Sequence, residues 1–153
     1  GLEKAFGQYA LRSDQWQTLY QFYALLARVL KNKAELGCRL QRAYRAKDRE
    51  ALLSLSTQAK TAAKDCTALL EQWRALWLSE CRPFGFEVLE VRLAGVSSRL
   101  NTAAVRAEQY CQGKLSSIEE LEEQRLPVLR SPDTCQMHGV YFWRDIVSAA
   151  KPW

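Results

Sequence analysis

Apolar residues recur at steps of three and four along three long stretches of the chain, the spacing of amphipathic helices. In the first stretch Leu19, Phe22, Leu26, Val29, Leu36 and Leu40 keep the step, with Lys33 as the polar break, and predict a helix over residues 16–44. Asp14 followed by Gln17 offers an N-cap and its partner three residues on. The polar turn at 45–49 then supplies Asp48 as the cap of a second helix. Its stripe is Leu52, Leu55, Ala59, Ala62, Cys66, Leu69, Trp73 and Leu76, and it stops near Pro83, which has no amide proton to continue the ladder. Ala59 and Ala62 make the middle of this stripe small, so a neighbouring helix can approach closely, while Trp73 and Trp77 fill space at the far end. In the third stretch Phe86, Leu89, Leu93, Val96, Leu100, Ala103, Ala107 and Tyr110 hold the step until Gly113 provides a left-handed stop. Ser117 with Glu120 forms a capping-box pattern for a shorter helix closing at Pro127.

These elements predict an all-α fold: an antiparallel bundle of three long helices plus one or two short helices, with an extended aromatic C-terminal tail. A helix of about thirty residues is about 45 Å long, so the bundle is expected to be an elongated rod. Its core is expected to hold Leu26, Trp73, Phe86, Leu89, Leu93, Val96 and Leu100. Residues 1–130 make the bundle domain, and 131–153 make a linker and C-terminal arm. Residues 140–147 are aromatic and branched enough for a strand, yet no partner strand is visible and a lone strand is not stable. The arm is therefore expected to pack on the bundle or on a body outside this chain.

The third helix carries a second apolar face. At about 100° per residue, Val88, Val91, Gly95 and Val105 fall opposite the main stripe. Either this helix occupies the centre of the bundle and touches two sister helices, or Val88, Val91 and Gly95 dock onto a separate body, with Gly95 letting it come near.

Composition narrows the chemistry. The chain has 153 residues, 48% hydrophobic and 25% charged, an ordinary globular balance for one core. The net charge of +5 is spread along the sequence; the densest basic cluster, Arg39, Arg42, Arg45, Lys47 and Arg49, surrounds a turn and is interrupted by Asp48. That distribution argues against a nucleic-acid surface. No apolar run is long enough to span a membrane. Cys38, Cys66, Cys81, Cys111 and Cys135 show no metal-ligand spacing and read as reduced thiols, so no cofactor or metal is expected and the expected location is cytoplasmic. The chain opens with Gly1-Leu2 and its one methionine is Met137, the signature expected of an excised piece.

No catalytic residue emerges. Glu119, Glu120, Glu122 and Glu123 gather at a helix start, where negative charge favours the helix dipole. Glu87 and Glu90 are expected to flank the core stripe and pair with arginines. Cys135 and His138 are three residues apart in the tail, without a rigid element to orient them for nucleophilic attack. The seven glycines are scattered and form no phosphate loop. Trp16, Trp73 and Trp77 sit on or beside core stripes, although a sugar-binding role for the tryptophans is a further alternative.

Three stretches carry a resemblance. "KNKAELGCRLQRAYRAKDREAL" at 31–52, "RALWLSECRPFGFEVLEVRLAGVSSRLNTA" at 74–103 and "SSIEELEEQRLP" at 116–127 closely resemble the C-terminal helical domain of bacterial glycoside hydrolase family 20 enzymes, the β-N-acetylhexosaminidases. The resemblance covers 16–127 and extends to the Trp143-Arg144-Asp145-Ile146-Val147 tail. It implies a parent enzyme that removes terminal N-acetylhexosamine from glycans, with the substrate's acetamido group as nucleophile and an adjacent Asp-Glu pair on a catalytic barrel. This chain has no Asp-Glu dipeptide and lacks the length of a barrel, about 250 residues. The implied role is a non-catalytic accessory domain, with the N-terminal catalytic barrel of the same polypeptide as partner and a homodimer partner as a further expectation. A free-standing helical interaction module is the alternative.

Overall fold

The computed structural model describes residues 1–123, and among them every regular element is helical. The order is α1 (Leu2–Arg12), α2 (Gln17–Lys33), α3 (Leu36–Arg45), α4 (Arg49–Glu80), α5 (Phe86–Cys111) and α6 (Glu119–Glu122). The expected closure of the last helix at Pro127, the boundary at 130/131, the arm with its 140–147 strand, and the Cys135 and His138 pair lie outside the described residues.

The helix expected over 16–44 is two helices. Lys33, the polar break in the stripe, ends α2, and Gly37, a poor helix former, sits in the first turn of α3. Between them Glu35 relaxes to φ −105°, ψ −2°. The break re-aims the chain: Phe22 and Val29 of α2 join Cys66 and Leu69 of α4, whereas Leu36 and Leu40 of α3 join Leu52, Leu55 and Ala59. The N-terminal helix α1 was not expected from the pattern. Ala10 is its buried residue, and it adheres to α2 through the Phe6 and Tyr23 rings (5.3 Å), the Tyr9 and Tyr20 rings (5.6 Å) and a Glu3 to Arg28 ion pair of 2.8 Å.

Helix ends show which local signals operate. Asp48 caps α4, its Oδ1 accepting from the Ala51 amide at 2.9 Å. Gly113, at φ 73°, closes α5 as a Schellman turn, with the Lys114 amide donating to Gln109 O and the Gly113 amide to Tyr110 O. The same pair of bonds closes α3, but there the left-handed position is Lys47, at φ 55°. At the start of α2 the capping oxygen belongs to Ser13, which accepts from the Trp16 amide at 3.3 Å, and Asp14 does not serve.

Helix α4 is the hub. It packs on α2, α3 and α5, while among the described elements α1 lies on α2 alone and α2 and α5 make no close backbone approach. Cross-helix bonds fix the antiparallel sense: Gln72 to Thr18 O and Asn32 to Asp65 join α2 with α4, and Arg74 to Glu90 and Lys60 to Glu108 join α4 with α5. The central helix is therefore α4; α5 packs its backbone on α4 and also meets α3, the Tyr110 and Tyr44 rings lying 5.0 Å apart. Alanines make the packing close: Ala59, Ala62 and Ala104 are wholly buried and Ala63 and Ala107 nearly so. The Ser97 hydroxyl on α5 donates directly to the Ala63 carbonyl on α4 at 3.0 Å.

Of the residues expected in the core, Phe86 is buried, and Leu26, Trp73, Leu89, Leu93, Val96 and Leu100 are half-buried. They line the margin between α2 and α5, which α4 holds apart. Trp16, expected on or beside a stripe, is 52% exposed.

Candidate interaction surface

The outward side of α5 is short of charge where a solvated helix face would carry it. Val91 is 42% exposed, Val105 44%, Gly95 is exposed and Val88 half-buried. A Cβ built on Gly95 would meet nothing within 4 Å, so nothing among the described residues requires glycine there. Beside this ridge, Leu70 of α4 and Ala94, Ser97, Thr102 and Val105 of α5 line an open groove of about 600 Å³. The threonines around it are already satisfied within their own helices, Thr67 donating to Ala63 O at 3.2 Å and Thr102 to Ser98 O at 3.1 Å. Covering such side chains strands no hydroxyl proton, which lowers the cost of desolvating the face.

The charged groups have structural partners. Glu90 pairs with Arg74, as expected of an acid flanking the stripe, whereas Glu87 accepts from the Gly85 amide at 2.8 Å and takes no arginine. Lys60, 2.6 Å from Glu108, holds that carboxyl below the usual range, helped by Ser56 Oγ at 3.1 Å and opposed by partial burial. The capping box expected from Ser117 and Glu120 does not form. Arg106 of α5 draws the Glu119 and Glu120 carboxylates to itself, and Ile118 becomes the N-cap residue. Burial raises the thiol pKa of Cys66 and of Cys111. Among the described residues no three His, Cys, Asp or Glu side chains gather as metal ligands, and no helix is long and apolar enough to cross a membrane.

The outward side of α5 thus exposes Val91, Gly95 and Val105, while Glu3, Asp65, Glu90, Glu108, Glu119 and Glu120 are held in ion pairs. The family model of the Glycoside Hydrolase 20C C-terminal domain matches residues 1–139. The chain belongs to this family. No curated protein matches the chain. As a glycoside hydrolase 20C C-terminal domain it is an accessory domain of a glycoside hydrolase, and its membership implies a linked catalytic domain.

Gly95 gives a direct probe of the 20C domain's free face. With open space at its Cβ position, Gly95→Ala is expected to stabilise the domain alone by about 1 kcal/mol through helix propensity. Urea melts check this; a loss of stability would mean that the helix backbone needs glycine for a reason internal to the domain.

Proposed function

We propose that this domain is the non-catalytic support of a β-N-acetylhexosaminidase, an enzyme removing terminal N-acetylhexosamine from glycans, and that it docks through Val88, Val91 and Gly95 on α5. The partner is the catalytic barrel of the same polypeptide; a dimer partner is the competing occupant of the same face. The observation that carries the proposal is the uncharged, exposed ridge of α5 in a domain whose family is defined as the C-terminal part of a glycoside hydrolase. The hexosaminidase specificity rests on the resemblance of 31–52, 74–103 and 116–127.

The test is Val91→Lys in the full-length enzyme. Lysine at a 42% exposed position leaves the domain folded, while an ammonium forced into a desolvated contact weakens docking roughly tenfold or more, about 1.4 kcal/mol. Hydrolysis of a chromogenic β-N-acetylglucosaminide and thermal melting of the whole enzyme report the effect. Unchanged activity and melting would remove Val91 from the interface. A loss of mass on size-exclusion chromatography would assign the face to a dimer partner.

A further inference from the structure

The loop between α4 and α5 holds a large aromatic side chain out in solvent, with hydrogen bonds fixing the residues on either side of it. Phe84 is 80% exposed, so it does little to hold the loop it belongs to. Beneath it, the Cys81 amide donates to Trp77 O at 2.7 Å and the Trp77 indole Nε1 donates to Arg82 O at 2.9 Å. The Phe86 amide donates to Pro83 O at 3.3 Å, and the Gly85 amide to Glu87 Oε2 at 2.8 Å. Gly85 takes φ +91°, a backbone conformation that side-chain-bearing residues rarely adopt. The Phe86 ring lies on Trp77 at 5.8 Å and under the Arg74 guanidinium at 6.0 Å, and Arg74 is itself held by Glu90.

We propose that Phe84 is a preorganised anchor that the linked catalytic domain receives in an apolar pocket. This deepens the docking role proposed above and rests on it. A rigid aromatic side chain loses little conformational freedom on being covered and buries roughly 150–250 Å², which is why such residues dominate interface energetics. The fold adds neighbours. Antiparallel packing brings the end of α1, the start of α2, the end of α4 and the start of α5 to one end of the molecule. There Leu11 is 85% exposed, Trp16 52% and Leu78 52%. The α5 ridge of Val88 and Val91 runs away from the same loop.

The occupant follows from the size of this surface. A partner diffusing freely needs about 800 Å² on each side for a stable, specific interface. One phenylalanine with a few aliphatic neighbours provides less than that, but a domain tied to the same chain is held at an effective concentration that makes a small, rigid contact sufficient. The family's linked catalytic domain meets that condition, whereas a second copy of the chain does not.

The experiment is hydroxyl-radical footprinting of the full-length enzyme, read at residues 82–88 by mass spectrometry, together with Phe84→Ala, Phe84→Leu and Gly85→Ala. Phe84 is expected to be oxidised about tenfold more slowly in the full-length enzyme than an 80% exposed ring would be. Phe84→Ala is expected to raise cleavage between the two domains by limited proteolysis about tenfold, with Phe84→Leu staying within about threefold of the parent and Gly85→Ala falling between them. Oxidation at the free rate overturns the proposal. So does protection that depends on protein concentration, which assigns the ring to a second copy, or protection that appears only with added N-acetylglucosamine oligomers, which assigns it to sugar. If Val91→Lys weakens docking while Phe84→Ala does not, the α5 interface stands and the anchor falls. If Phe84 is protected but the enzyme cleaves no β-N-acetylhexosaminide, the anchor stands and the proposed substrate falls.

Discussion

Leu52→Ala is expected to destabilise the domain by about 2–5 kcal/mol, and toward the upper end of that range. Leu52 is 0% exposed and stands where three helices converge, with Leu36, Leu40 and Tyr44 of α3, Leu55 and Ala59 of α4 and Ala104 of α5 in the same buried cluster. The size of a cavity penalty depends on whether the surroundings can collapse. Here they resist, because Ala59 and Ala104 already bring the backbones as close as side chains permit. Leu93→Ala is the informative control. Leu93 is half-buried and lines the open groove between α4 and α5, so truncation there leaves a notch that solvent can enter, at roughly 1–2 kcal/mol. Urea denaturation should therefore separate the two variants in midpoint with an unchanged slope. Equal losses would mean that the groove is filled in solution and that Leu93 belongs to the interior.

The contrast between these leucines also shows what the sequence could convey. The stripe of α4 from Leu52 to Leu69 was legible because α4 is packed on several sides, so its periodicity records contacts that all exist within this chain. The stripe of α5 was equally regular, but only Phe86 and Ala107 of it are buried and the rest end at the margin of the core. A wheel states which residues share a face, not how completely another element covers that face. Local caps were legible where the turn is self-contained, as at Asp48 and Gly113. They were misread at the start of α2, where Ser13 accepts in place of Asp14, and at the start of α6, where Arg106 on another element takes Glu120, the expected partner of Ser117, a competition that spacing cannot reveal. The break between α2 and α3 was hidden for the same reason, since Leu36 keeps the step of α2 while packing on a different part of α4. Helix α1 has an apolar step of its own, Leu2, Phe6, Tyr9 and Ala10, but it is short, and aromatic edges and one ion pair hold it on α2 with Ala10 alone buried. For the proposed interaction surface, the wheel puts Val88, Val91 and Gly95 on one face, of which Val91 and Gly95 are exposed. Phe84 stood in plain view within Arg82-Pro83-Phe84-Gly85-Phe86, but only the braced loop distinguishes a displayed ring from a buried one.

Tyr44→Phe is expected to cost about 2–3 kcal/mol, although it removes a single oxygen. The Tyr44 hydroxyl accepts from the Ile118 amide at 3.1 Å and donates to Glu122 Oε1 at 2.5 Å. It thus ties both ends of the α6 segment to α3. Phenylalanine keeps the ring and its contact with Tyr110, at 5.0 Å between centroids, but leaves a backbone N–H without an acceptor beside a residue only 4% exposed. Hydrogen exchange should therefore rise most across residues 115–122, with α4 protected as before. The pH dependence separates this bond from mere packing. Donation to Glu122 holds the Tyr44 hydroxyl above its ordinary value of 10.0, with smaller contributions from burial and opposed by the Ile118 amide. A folded-state pKa above the unfolded one gives stability that is complete below about pH 10 and is lost as pH rises through the folded value. The parent should lose this contribution at the alkaline end and Tyr44→Phe should not. At the acidic end the two should behave alike, because Glu108, held low chiefly by Lys60, loses its contribution in both as pH falls from 4.5 through its folded value. A variant that matched the parent at both ends would show that the Tyr44 hydroxyl does not hold α6 in solution.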